Sequence, residues 1–103
     1  MNTFDLGQVR VLVYRDEAED VWYASALELN LTIDGTDKNA VFLELNHAIA
    51  EYHRSAEEIG DVALLNQTPD PELVALWDAC IQNTPIVSPY TSYFAGRESL
   101  QYA

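Results

Sequence analysis

The first third of the chain repeats apolar residues at every second position, which is the spacing of a strand with one face in a core. Residues 8–15, QVRVLVYR, place valines on one face and a mixture of charged and apolar residues on the other. Two further strands are predicted over residues 21–29 and 30–34, and Gly35 supplies the turn after the third. Three successive strands with short links most simply form an antiparallel meander.

The spacing changes after Gly35, where apolar residues recur every three or four positions. This pattern indicates an amphipathic helix of about five turns or more, with Thr36 or Asp37 as its N-terminal cap. Its apolar stripe consists of Val41, Leu45, Ala48, Ile49, Tyr52 and Ala56. We expect this helix to cover one face of the sheet and to supply most of the stability.

The segment after Ile59 leaves two structures open. The helix continues or resumes through GDVALLN, at a cost of about 1 kcal/mol for Gly60 relative to alanine. Alternatively, the helix stops at Gly60 and residues 62–65 form a short fourth strand. Ala63 and Leu64 form helices more readily than strands, which favours the first structure.

A second helix is predicted from Asp70, a good N-terminal cap, followed by Pro71 at the first helical position. The helix should end near Asn83, before Pro85. Its predicted apolar face consists of Leu73, Val74, Trp77, Cys80 and Ile81.

The last segment, residues 84–103, contains two prolines, Pro85 and Pro89, and three aromatic residues within Tyr90 to Phe94, namely Tyr90, Tyr93 and Phe94. Its proline, serine and threonine content argues against a central strand or a long helix, so an irregular tail is predicted. These aromatic residues either pack back on the domain or bind another molecule.

Together these elements predict an α+β fold. A three- or four-stranded antiparallel meander is covered by an amphipathic helix and followed by a C-terminal helix and an irregular tail. Residues 1–68 form a βββα unit, and residues 69–103 pack on the same domain or extend from it.

The charge balance narrows the class of partner. The chain has 17 acidic and 5 basic residues, giving a net charge of -12, and residues 1–68 carry -9 of it. Such a surface repels nucleic acid and anionic membranes and attracts a basic protein. The alternative is that the acidity serves solubility alone. The apolar content of 49% argues for a folded chain.

Candidate chemistry is sparse. Glu44 and His47 have a spacing found in di-iron sites, but the chain has no second pair of this kind. The acidic run at residues 16–20, DEAED, lacks the glycine and ligand alternation of a calcium loop, so it predicts a solvated hairpin tip or a docking patch for Lys and Arg. Glu57 and Asp61 form a weak acid–base candidate. We therefore expect no catalytic residue, no metal and no cofactor.

The lone Cys80 excludes an internal disulfide. The N-terminus lacks the basic and apolar regions of a signal peptide, and no window reaches the length of a membrane span. A cytoplasmic location is therefore expected.

The order of strand, polar turn, two strands, glycine turn and helix resembles the N-terminal domain of HicB-type antitoxins. The matching pieces are VRVLVYRDEAEDVWYASALELNLTIDG and AVFLELNHAIAEYHRSAEE, within roughly residues 8–60. The resemblance implies an α+β domain, likened to a reduced ribonuclease H or double-stranded RNA-binding fold, that binds a small basic HicA-type ribonuclease toxin and covers its active site. Many members also bind operator DNA through a C-terminal domain. Residues 69–103 contain one arginine and no lysine, so no direct DNA binding is expected here.

The leading hypothesis is therefore a non-enzymatic antitoxin of a toxin–antitoxin system. The alternatives are an acidic inhibitor that imitates nucleic-acid charge, for example a phage-encoded blocker of a host nuclease, and an orphan module that forms homo-oligomers. The residues predicted to contact a partner are Asp16, Glu17, Glu19, Asp20, Tyr90, Tyr93 and Phe94.

Overall fold

The computed structural model describes residues 7–100. Four strands form one antiparallel sheet in the order β3-β2-β1-β4. The strands are β1 Gln8–Asp16, β2 Val21–Ala26, β3 Leu31–Gly35 and β4 Tyr90–Ser99, and the helices are α1 Lys38–Ile59 and α2 Pro71–Gln82. The α+β fold with a helix-covered meander is therefore confirmed. Two short 3-10 helices, Leu27–Leu29 and Val62–Leu65, complete the description.

The central strand β1 is buried on both faces. Its valines, Val9, Val11 and Val13, belong to the core beneath α1, as their alternation predicts. Leu12 and Tyr14 belong to a second core beneath α2. The mixed face of β1 thus lies beneath α2, where the charged Arg10 is buried beside Trp77.

Helix α1 begins at the cap that its sequence predicts and ends at Gly60. The Asp37 side chain accepts a hydrogen bond from the Ala40 backbone N–H at 2.8 Å. Gly60 ends the helix with a positive φ of 79°, a conformation that glycine adopts without steric cost. The chain then resumes as the 3-10 helix over residues 62–65, so the fourth-strand alternative is wrong for that segment.

Helix α2 also begins as predicted, with the Asp70 side chain accepting from the Glu72 backbone N–H. Its most deeply buried residues are Leu76, Trp77 and Ala79. The prediction that Ile81 is buried is wrong, because its side chain is 53% exposed. Ile81 lies in the last turn and at the margin of the buried stripe, beyond the cover of the sheet.

The irregular tail is the main correction to the predicted fold. Residues 90–99 form β4, which pairs along its length with β1 from Asp16↔Tyr90 to Gln8↔Ser99. Both prolines of the segment, Pro85 and Pro89, precede the strand and remove none of its hydrogen bonds. β4 pairs on one side only, so it is an edge strand and not the central strand that the composition opposed.

Candidate partner-binding site

The hairpin tip between β1 and β2 holds the four predicted acids. Asp16 organises it, because its Oδ1 accepts from the backbone N–H groups of Ala18 and Glu19 at 3.1 and 3.2 Å. Glu17, Glu19 and Asp20 are exposed to solvent. The tip is therefore a structured turn with carboxylates directed outward.

Arg15 gives this tip an internal cation that the sequence analysis missed. Its guanidinium contacts Glu17 at 2.9 Å and also pairs with Asp20. The hydrogen bond to Asp20, reinforced by one to Tyr93, raises the pKa of the Arg15 side chain, so it stays protonated. The tip therefore combines four carboxylates with one fixed positive charge. The position of Arg15 directly before the acidic run was the available signal.

The pairing of β4 with β1 brings Tyr93 to the acidic tip. The Tyr93 hydroxyl donates to Glu17 Oε1 at 3.0 Å. The Tyr93 ring packs on Trp22 with 4.6 Å between centroids, and the Arg15 guanidinium lies 5.6 Å from the centre of the Trp22 ring. The acidic run and the aromatic residue Tyr93, which lie more than 70 residues apart in the chain, therefore form one surface.

A β-bulge places Tyr93 and Phe94 on the same face. The register passes from Val13↔Phe94 to Tyr14↔Ser92, which leaves Tyr93 without an opposite residue. Neighbouring side chains of a regular strand point to opposite faces. Here Tyr93 contacts Trp22 and Phe94 contacts Phe42 of α1, both on the α1 side. Their side chains are 45% and 46% exposed.

Tyr90 lies on the opposite face and does not join this surface. Its ring packs edge-on against Tyr14 and Tyr23, with centroids 5.1 and 6.0 Å away. Burial raises the pKa of Tyr14, although its hydrogen bond to Ser25 acts in the other direction. The structure therefore separates Tyr90 from Tyr93 and Phe94.

A groove of about 270 Å³ lies between α1 and β4, on the face that carries Tyr93 and Phe94. Its lining residues are Val13, Lys38, Asn39, Phe42, Tyr93 and Phe94. Lys38, Asn39 and Phe42 were not among the site residues predicted from sequence. The signal for Phe42 was a large aromatic residue outside the predicted apolar stripe of the helix.

The candidate metal ligands do not form a site. Glu44 and His47 are both exposed, and residues 7–100 hold no group of three or more His, Cys, Asp or Glu side chains able to bind a metal ion. Within the same residues, no helix combines the length and apolarity that crossing a bilayer requires.

Comparisons of the chain with protein-family models, with curated proteins and with solved structures find no match. The geometry of the acidic tip and the adjoining aromatic residues is therefore the ground on which a function is argued.

Proposed function

We propose that this chain is a non-enzymatic, antitoxin-type protein that binds a basic protein partner and covers its active site. The docking surface would consist of the acidic tip, residues 16–20, together with Trp22, Tyr93 and Phe94. The observation that carries the proposal is the hydrogen bond from Tyr93 to Glu17, which joins exposed aromatic rings to exposed carboxylates. The resemblance to HicB-type antitoxins favours a HicA-type ribonuclease toxin as the partner, met in the cytoplasm.

The two components of this surface would have different tasks. Exposed ion pairs contribute only about 0–1 kcal/mol each, but long-range attraction between opposite charges speeds the encounter. Truncating an aromatic anchor at an interface commonly costs about 2 kcal/mol or more, because such rings exclude water from the contact. We therefore assign the association rate mainly to the acids and the affinity mainly to Trp22, Tyr93 and Phe94.

Arg15 supports the proposal by ordering the tip before a partner arrives. It binds Glu17 and Asp20 together and stacks near Trp22. A preorganised surface loses less conformational entropy on binding than a mobile one. Glu19, whose side chain forms no hydrogen bond or ion pair within residues 7–100, is the carboxylate most available to a partner's Lys or Arg.

Operator binding is not part of the proposed function. The only cation in the C-terminal segment is Arg97, which lies 5.5 Å from the centre of the Trp77 ring. A DNA-binding surface requires a basic stripe or patch that can neutralise several phosphates.

Co-expression with a small basic protein encoded beside this chain tests the proposal. We expect a stable complex at physiological salt, relief of the partner's toxicity and inhibition of its ribonuclease activity. In that complex, Tyr93→Ala should weaken affinity by about 2 kcal/mol, whereas Tyr93→Phe should lose much less. The affinities are measured by calorimetry.

The outcome also separates the alternatives. An inhibitor that only imitates nucleic-acid charge would bind a nuclease equally well after Tyr93→Ala and would lose binding as salt rises. A chain that ignored cationic proteins at physiological salt and turned over a substrate would overturn the proposal.

The outer edge of β4 favours a homo-oligomeric module as the second candidate. β4 has ten residues and pairs only with β1 within the described chain, so its other edge offers backbone groups to another strand. Light scattering over a range of concentrations measures the oligomeric state. A constant monomer mass would exclude the homo-oligomeric module.

A further inference from the structure

A β-bulge in β4 shapes the groove between α1 and β4. The bulge at Tyr93 interrupts the pairing of β4 with β1 and turns both Tyr93 and Phe94 toward the α1 side. Both rings nevertheless remain nearly half exposed. The bulge therefore adds two aromatic walls to an open surface, in a chain whose surface is otherwise strongly acidic.

The size of the groove limits its occupant. Its volume is about 270 Å³, which lies below the range of about 300–1,000 Å³ typical of pockets that enclose a drug-sized ligand. Val13 is an apolar residue of the groove lining. The Phe42 and Phe94 rings meet edge-to-face, with 5.5 Å between their centroids. These dimensions and this lining suit one large apolar side chain.

Within the described part of the chain, Lys38 is the one charged residue in the lining of the groove. It is the only lysine of the chain and lines the groove. Arg10, Arg15 and Arg54 pair with carboxylates, whereas Lys38 forms no ion pair among residues 7–100. A cation in the lining of the groove disfavours a Lys or Arg side chain there, whereas the carboxylates of the acidic tip attract one.

The groove and the acidic tip are continuous, because Tyr93 belongs to both. Its ring lines the groove and its hydroxyl donates to Glu17. A segment that spans both would place cations at the carboxylates and an uncharged group in the groove, beside the Phe42 and Phe94 rings.

On these observations we infer that the groove is an anchor site for one large, uncharged apolar side chain of the basic partner. The anchor lies within a few residues of the Lys or Arg side chains that meet the acidic tip. This inference rests on the proposed function and adds to it the class of partner segment, a basic stretch followed by an aromatic or large aliphatic residue.

Two synthetic peptides test the inference. One has the sequence Gly-Arg-Lys-Ser-Trp-Gly and the other replaces its tryptophan with alanine, both with blocked ends. Titration into the ¹⁵N-labelled chain is followed by NMR. We expect the tryptophan peptide to bind roughly tenfold more tightly and to shift the amides of Lys38, Asn39, Phe42 and Phe94, because burying one aromatic side chain contributes at least this much. The alanine peptide should shift only the tip.

Variants of the groove give the matched comparison. Phe94→Ala should remove the roughly tenfold advantage of the tryptophan peptide and leave the alanine peptide unchanged. Phe94 also covers Gly96, since a Cβ there would lie 2.8 Å from its ring, so thermal unfolding is checked in parallel. Asn39→Trp, which fills the groove from an exposed helical position, should have the same effect without touching the sheet. Leu43→Ala is the control, because Leu43 is exposed on the same helix outside the groove.

Failure of the inference differs from failure of the proposed function. If both peptides bind the tip equally and in a salt-sensitive way, and the groove amides do not shift, the anchor site is wrong. The proposed docking surface at the tip is not affected by that result. No binding of either peptide at low salt overturns both. Self-association that Phe94→Ala abolishes would assign the groove to a second copy of the chain and would also overturn the inference.

Discussion

Strand β1 carries two arginines that meet carboxylates in opposite environments. Arg10 and Glu28 are buried, and Glu28 accepts from the Arg10 backbone N–H at 2.6 Å and from its Nε at 2.8 Å. Arg15, five residues later, meets Glu17 and Asp20 at the solvated hairpin tip. The same pair of chemical groups therefore fixes the interior at one position and shapes a surface at the other.

Burial accounts for the difference. A buried ion lacks water and depends on its partner, so losing one member leaves a charge with no compensation. The exposed groups at the tip are solvated whether or not they pair. Arg10 is further enclosed by Trp77, whose ring centre lies 5.7 Å from the guanidinium and whose Nε1 donates to the Gly96 carbonyl. The first pair therefore serves stability, and the second belongs to the surface for which recognition is proposed.

The largest effect is expected at the buried pair. Glu28→Ala should lower the free energy of unfolding by about 3–5 kcal/mol, because it leaves Arg10 buried without its carboxylate. Urea unfolding measures the change. The double variant Arg10→Met with Glu28→Leu should recover most of the loss, since apolar residues of similar size replace both ions. A loss below about 1 kcal/mol for Glu28→Ala would break the contrast between the two pairs.

An intermediate effect is expected at Tyr14, which lies next to Arg15 but faces the α2 core. Its hydroxyl is 2.9 Å from the Ser25 hydroxyl, so Tyr14→Phe should cost about 1 kcal/mol at neutral pH. Burial raises the pKa of Tyr14 above its ordinary value of 10.0. The folded state therefore holds the phenol proton more tightly than the unfolded state.

The raised pKa of Tyr14 determines how the stability of the fold changes with pH. The contribution of Tyr14 is fully present below the pKa of the unfolded chain and is lost as the pH rises past it toward the folded value. Stability should therefore fall above about pH 10, and the fall should be shallower in Tyr14→Phe. Urea midpoints measured from neutral to alkaline pH check this, with Tyr23→Phe as the more exposed comparison. Equal slopes in the parent and Tyr14→Phe would contradict it.

The smallest effect on stability is expected at the tip. Asp20→Asn should leave the unfolding midpoint unchanged within error, because Asp20 is exposed and Arg15 keeps its contact with Glu17. The same change should slow association with a basic partner at low salt and have little effect at high salt. Stopped-flow mixing measures the rates. A clear loss of stability without a change in rate would reverse the assignment of the two arginines.

The sequence predicts the parts of this fold that depend on local patterns. The valine alternation of β1, the stripe of α1 and the caps at Asp37 and Asp70 follow from spacing and residue type alone. Strand β4 cannot be predicted in this way, because its hydrogen bonds go to a strand about 80 residues away and its alternation is broken at Tyr93 by the bulge. The two arginine pairs were missed for a related reason. The sequence alone does not show whether a charged residue in a strand faces water or pairs with an oppositely charged residue from a distant part of the chain.

The candidate site divides in the same way. The acidic tip and the exposed Tyr93 and Phe94 were found from composition, since acids and aromatic residues are conspicuous in their segments. The groove was not found, because it requires α1 and β4 to be set side by side in three dimensions.

The placement of β4 beside β1 has a consequence for synthesis. A ribosome makes residues 8–82, with three strands and both helices, before it reaches the strand that covers the open edge of β1. Until residues 90–99 emerge, that edge is free to pair wrongly. Tyr93 and Phe94 arrive on that same last strand, so the proposed docking surface is incomplete in a nascent chain, and capture of the proposed partner would have to wait until translation has passed them.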